Sequence, residues 1–114
     1  MNTKTQLISM CERISKDIET GEYDMEEWAV EEWGEPCASH YLSEVLDIEY
    51  TVSSRFEYLG ARVCVTIGGP NIYIDTRNRR VQGYWGGDHI ERSYSKDALG
   101  LDDYLGEMFD CLRG

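Results

Sequence analysis

Apolar residues at the start of the chain recur with the period of an α-helix. They occupy positions 7, 10, 11, 14 and 18, and most of the charged side chains lie between them. This spacing predicts an amphipathic helix over residues 4–20, with Gly21 as its stop. A final helix, capped by Ser95 or Asp97, is predicted from a second apolar stripe: Leu101, Tyr104, Leu105, Met108 and Leu112.

In the middle of the chain the apolar period shortens to two, which is typical of strands with one buried face. Hairpin connections are expected at residues 68–70 and 76–79, where Gly, Pro and Asn cluster. The simplest fold that buries both helical stripes is α+β: a four-stranded antiparallel sheet with the N- and C-terminal helices packed on one face, in a single domain over residues 1–114. The alternating positions are Ile48, Tyr50 and Val52, then Val63, Val65 and Ile67, then Ile72 and Ile74, and then Val81 and Tyr84.

Two short helical segments are predicted between the first helix and the sheet. Asp24 precedes Glu27 by three residues, the spacing of a capping box, and predicts a helix over residues 24–33 that ends near Gly34. A further helical turn is expected within Ser39–Leu46. Its inward side chains would be Tyr41, Leu42, Val45 and Leu46.

The charged residues are unevenly distributed along the chain. The chain has 114 residues and a formal net charge of −11. This charge opposes direct binding to nucleic acid or anionic lipid and favours a basic protein partner. No Lys or Arg lies between Asp17 and Ser54, whereas this stretch holds twelve acids: Asp17, Glu19, Glu22, Asp24, Glu26, Glu27, Glu31, Glu32, Glu35, Glu44, Asp47 and Glu49.

The predicted helix over residues 24–33 would carry about one charge per 3 Å, close to the roughly 3.4 Å phosphate spacing of a DNA strand. A solvated face that keeps the protein soluble accounts for the same pattern. The two tryptophans are expected to be core anchors or partner-binding hot spots, with at least one in the core. The candidate partner-binding residues are Asp24, Glu26, Glu27, Trp28, Glu31, Glu32, Trp33 and Glu35.

Signatures of other chemistry are weak. Two Gly-Gly pairs lack the context of a nucleotide-binding loop, and Cys37-x-x-His40 is half a zinc site at best. We therefore expect no enzyme activity, no cofactor and no metal; a small metal-dependent enzyme using acids with His40 or His89 is the alternative. Four widely spaced cysteines, no signal peptide and no membrane-length apolar run indicate a cytoplasmic protein that binds no membrane.

A second charged feature is the hairpin tip that holds Arg77, Arg79 and Arg80. Charges at such a tip discourage aggregation. The alternative is a basic spot for an acidic patch on a partner, or on a second copy of this chain in a homodimer.

The acid-only segment, including DMEEWAVEEWGE, resembles the small acidic inhibitors that phages and mobile elements deploy against host defence. These comprise anti-CRISPR proteins and DNA-mimicking antirestriction proteins, and the resemblance covers about a third of the chain. It implies a protein of the host-cell cytoplasm that inhibits a CRISPR effector nuclease complex by occupying its basic DNA channel. The alternative is an acidic interaction module, antitoxin-like or regulatory, that binds a basic protein without mimicking DNA.

Overall fold

The computed structural model describes residues 2–114 as four helices and five strands. No helix in this range combines the length and apolar character needed to cross a membrane. In chain order the elements are α1 (Thr3–Thr20), α2 (Glu27–Trp33), α3 (Ala38–Tyr41), β1 (Asp47–Val52), β2 (Tyr58–Thr66), β3 (Asn71–Asp75), β4 (Arg80–Trp85), β5 (Asp88–Ser93) and α4 (Leu101–Arg113).

The strands form one antiparallel sheet in the order β1-β2-β3-β4-β5, so each strand pairs with its neighbour in the chain. The register places Val63 opposite Ile74 and Ile74 opposite Val81, and all three are fully buried. Because side chains alternate between faces, this row defines the inner face of the sheet. Both long helices pack on that face, as the α+β prediction required.

Helix α1 lies directly against the inner face at Gly83 on β4. A Cβ atom at Gly83 would lie 2.6 Å from Cys11 Sγ and 2.7 Å from Leu7 Cδ1, so only glycine fits beneath this helix. Leu7, Cys11 and Ile18 are fully buried, which confirms the predicted apolar stripe. Gly21 ends the helix in the left-handed conformation, with φ of 74°, as predicted.

Helix α4 covers β2 on the same face. The N-cap position is Gly100 and not Ser95 or Asp97, but the carboxylate of Asp97 accepts hydrogen bonds from the backbone N–H groups of Gly100, Leu101 and Asp102. The Tyr58 hydroxyl of β2 donates to Asp102 Oδ1 at 2.6 Å. These bonds join the first turn of α4 to the sheet.

The prediction of four strands was wrong, because β5 was missed. Of its six residues only Ile90 is buried, so its sequence lacks the apolar alternation that marks an inner strand. The strand is instead held by its backbone ladder with β4 and by cross-strand side-chain pairs. The His89 ring stacks on Tyr84 at 4.6 Å, and Glu91 accepts hydrogen bonds from Arg80 and Gln82.

The boundaries of the short helices also differ from the prediction. The capping box was wrong: the chain is extended through Glu26, the N-cap residue of α2, and no side chain caps that helix. Helix α3 is one turn that begins before Ser39 and ends at Tyr41. Leu46 was expected to point inward but is 56% exposed, since the chain turns there into edge strand β1. Leu112, in the last turn of α4, is likewise exposed.

We expect Gly83→Ala to destabilise the protein by about 1–3 kcal/mol, because the new methyl group overpacks the contact between α1 and the sheet. Urea denaturation measures this loss. Gly87→Ala is the matched control, since a Cβ atom at Gly87 meets nothing within 4 Å. Equal stability of the two variants would contradict the assigned packing.

Candidate functional site

The predicted partner-binding residues lie on α2 and the chain that flanks it. Ala29 is the only buried residue of this helix, so α2 lies outside the core. Substitutions on its exposed face therefore leave the core intact. The six predicted carboxylates and Trp28 are exposed, and Trp33 is half-buried. Asp24 and Glu26 precede α2, and Glu35 follows it. The other predicted residues lie within the helix: Glu27, Trp28, Glu31, Glu32 and Trp33.

The acid-only segment has no cationic partner within residues 2–114 at ion-pair distance. The ion pairs of this range join Arg80 to Glu91, Arg92 to Glu12, and Arg113 to Asp110, and His89 Nε2 lies 3.8 Å from Glu91 Oε1. None of them uses an acid of residues 17–54. Exposed carboxylates without a counter-charge maintain a negative potential at this surface. Ten of the twelve acids are exposed: Glu22, Asp24, Glu26, Glu27, Glu31, Glu32, Glu35, Glu44, Asp47 and Glu49.

Tyr23 joins the two ends of the chain that surrounds α2. Its hydroxyl donates to the Cys37 carbonyl at 3.1 Å and accepts from the Cys37 N–H at 3.2 Å. The same oxygen lies 2.8 Å from His40 Nδ1. Tyr23 thus closes a loop around α2 by contacting a residue 14 positions away, and it sets the position of the His40 ring.

Four aromatic rings cluster where α2 meets α3. His40 stacks with Tyr23 at 5.7 Å and lies 5.4 Å from Trp33 and 6.4 Å from Trp28, measured between ring centroids. The expectation that one tryptophan is a core anchor was wrong. Trp28 is 53% exposed and Trp33 half-buried, because both pack on His40 at the surface rather than on the sheet.

A small pocket of about 220 Å³ opens beside this cluster. Tyr23, Trp28, His40 and Tyr41 contribute aromatic lining. Three carboxylates also line it: Asp24, Glu26 and Glu44. The indole N–H of Trp28 donates to Glu26 Oε2, which holds the ring and a carboxylate together at the pocket.

A larger cleft of about 1120 Å³ lies between α1 and the segment that leads to α2. Arg13 and Lys16 of α1 line one side of it, together with Asp17. The Tyr41 hydroxyl donates to Asp17 Oδ2 at 2.9 Å. Burial raises the pKa of Asp17 above its ordinary value, although that hydrogen bond and the charge of Arg13 act in the opposite direction. Asp17 is therefore a structural acid of the cleft rather than a free surface charge.

Other candidate residues have structural contacts. His40 and Cys37 are linked through Tyr23, and no group of three potential metal ligands converges within residues 2–114. At the arginine hairpin, Arg79 donates to the Ser95 carbonyl and Arg80 pairs with Glu91. These two guanidinium groups thus have contacts within the chain.

Sequence reasoning did not identify Tyr23, His40 and Tyr41 as parts of this site. Tyr23 and His40 are 17 positions apart, so their contact has no signature in a local pattern. The available signal was the density of aromatic residues within the acid-only segment, since exposed aromatics among charges often mark binding surfaces. No protein-family model, curated protein or solved structure matches this chain.

We expect the Asp17 carboxylate to make the folded state less stable as pH rises through the interval between its unfolded and folded pKa values. The folded pKa is the higher one, so the folded state binds the proton more tightly there. Asp17→Asn keeps an acceptor for Tyr41 and removes the charge. It should be more stable than the parent at pH 7 and should lose that advantage below about pH 3.9, where the unfolded carboxyl is protonated.

Urea denaturation across pH measures the difference. Asp47→Asn, at an exposed acid of the same segment, is the control for the change in charge. A gain in stability of D17N that is the same at every pH, or no gain in stability, would contradict a raised pKa for Asp17 in the folded state.

Proposed function

We propose that this chain is a protein inhibitor that occupies the basic nucleic-acid channel of a defence complex. The observation that carries the proposal is the exposed, uncompensated acidic surface over residues 22–49. Basic channels hold nucleic acid by neutralising its phosphates, so a surface of unpaired carboxylates competes for the same Lys and Arg side chains. The resemblance to anti-CRISPR proteins makes a CRISPR effector nuclease the first target to test.

The position of α2 supports this proposal in a second way. The helix is seven residues long, or about 10 Å at 1.5 Å per residue, and carries three glutamates. With one buried residue, it extends from the core instead of forming part of it. A small acidic projection can enter a channel that the sheet and the long helices cannot.

The acidic interaction module remains the second candidate, because Trp28 and Val30 are exposed between the acids. A mimic of the phosphate backbone needs charge, whereas exposed apolar side chains are typical of contacts with a folded protein surface. This candidate predicts binding to a basic protein at a site that nucleic acid does not occupy.

Reversal of Glu27, Glu31 and Glu32 to Lys should weaken inhibition at least about tenfold, since each lost attraction becomes a repulsion. The measurement is cleavage of a fluorescent target duplex by each of a panel of purified, guide-loaded CRISPR effector nucleases. The matched control reverses Glu57, Glu107 and Asp110, which are exposed and outside the acid-only segment. Both variants shift the net charge from −11 to −5, because three reversals add six charges. Equal inhibition by the two variants would reject the proposed surface.

A short duplex DNA should displace this protein from its target if the two share a channel. Binding should also weaken as salt rises from about 0.1 M to about 1 M, over which the Debye length falls from about 10 to 3 Å. Fluorescence anisotropy of the labelled protein measures both effects. Salt-sensitive binding that excess duplex leaves unchanged would favour the interaction module over mimicry.

A further inference from the structure

We infer that the small pocket between α2 and α3 is a binding site for an arginine side chain. The inference rests on the proposed function in one respect, namely that the protein that supplies this arginine is basic. It goes beyond a diffuse acidic surface, because it assigns one cation to one cavity. The pocket holds about 220 Å³, several times the roughly 30 Å³ that a water molecule occupies in the liquid.

The walls of the pocket suit a cation that stacks. Tyr23, Trp28, His40 and Tyr41 all line it, and an aromatic ring attracts a cation above its face by its quadrupole. Trp gives the strongest such attraction. The Trp28 ring is held by its hydrogen bond to Glu26, and His40 is held through Tyr23 and Cys37. The rings are thus positioned before a ligand arrives, which lowers the entropic cost of binding.

Carboxylates supply the matching charge. Asp24, Glu26 and Glu44 line the pocket, and none of them forms an ion pair within residues 2–114. The four lining rings and three carboxylates therefore have no cation of their own chain between them. This combination distinguishes the pocket from the outer face of α2, where Glu31 and Glu32 are exposed but do not line it.

The chemistry favours a guanidinium group over an ammonium group. A guanidinium is planar, stacks on aromatic rings and is less strongly hydrated, so it enters a partly enclosed pocket at lower desolvation cost. Its fork of N–H groups can donate to a carboxylate through two parallel bonds. A lysine ammonium has the same charge but neither of these properties.

The test is an NMR titration of the whole protein with N-acetyl-arginine amide, which needs no protein partner. The neutral isostere N-acetyl-citrulline amide and the ammonium analogue N-acetyl-lysine amide are titrated in parallel. We expect saturable shifts of the Trp28 indole N–H and the His40 amide with the arginine probe, with a Kd on the order of 1 mM. The citrulline probe should give no saturable shift, and the lysine probe should bind more weakly.

Two triple variants separate the pocket from general electrostatics, because each removes three charges. The pocket variant is D24N/E26Q/E44Q and the helix variant is E27Q/E31Q/E32Q. The arginine probe should bind the pocket variant at least about tenfold more weakly and the helix variant less than about threefold more weakly. Trp28→Leu should also weaken binding, and since Trp28 is 53% exposed the fold should tolerate the change. Circular dichroism checks that each variant is folded.

No saturable shift with the arginine probe, equal losses in the two triple variants, or equal binding of the lysine probe would each overturn the assignment. The cleavage assay keeps the two proposals apart. Inhibition that depends on Glu27, Glu31 and Glu32 without any probe binding would reject the pocket and retain the inhibitor. Probe binding confined to the pocket, in a protein that inhibits no effector, would retain the pocket and reject the inhibitor.

Discussion

The structure depends on the close approach of α1 to the sheet at Gly83. With no side chain at that position, Leu7 and Cys11 rest directly against β4 and the helix covers the inner face of β4 and β5. Burying that face removes apolar side chains from water, and such burial is the dominant favourable contribution to folding. Helix α4 then covers β2, and the two helices together enclose the core.

The end of α1 determines where the chain turns toward α2. Gly21 turns the chain beside Ala98, whose N–H donates to the Ile18 carbonyl, so α1 ends against the segment that leads into α4. The chain must then return over the edge of the core to reach β1. Tyr23 holds this return through Cys37 and His40, and the acids of α2 remain outside. A like-charged segment is tolerated here because its carboxylates face water, where repulsion between charges is weak.

The same arrangement gives the acidic surface a local structure. The aromatic rings around His40 order the chain between α2 and α3, and their contacts produce a pocket rather than a uniformly charged face. Affinity for a basic partner can therefore combine two effects. Long-range attraction brings charged surfaces together, and an enclosed aromatic site selects one side chain at short range.

The sequence by itself determined the α+β class, the long helices, the hairpin connections at residues 68–70 and 76–79, and the position of the acidic surface. Each of these depends on interactions between near neighbours in the chain. Examples are the apolar stripe of α1 with its 3.6-residue period, the apolar alternation at Ile72 and Ile74, and the hydrogen bonds of the Asp97 carboxylate to the first turn of α4. Only the tertiary structure decided the fifth strand, the surface position of both tryptophans and the site around His40. Strand β5 forms because its backbone pairs with that of β4. The site forms because the Tyr23 hydroxyl contacts the ring of His40, 17 positions away in the chain. Such contacts between distant residues depend on the completed core that brings them together.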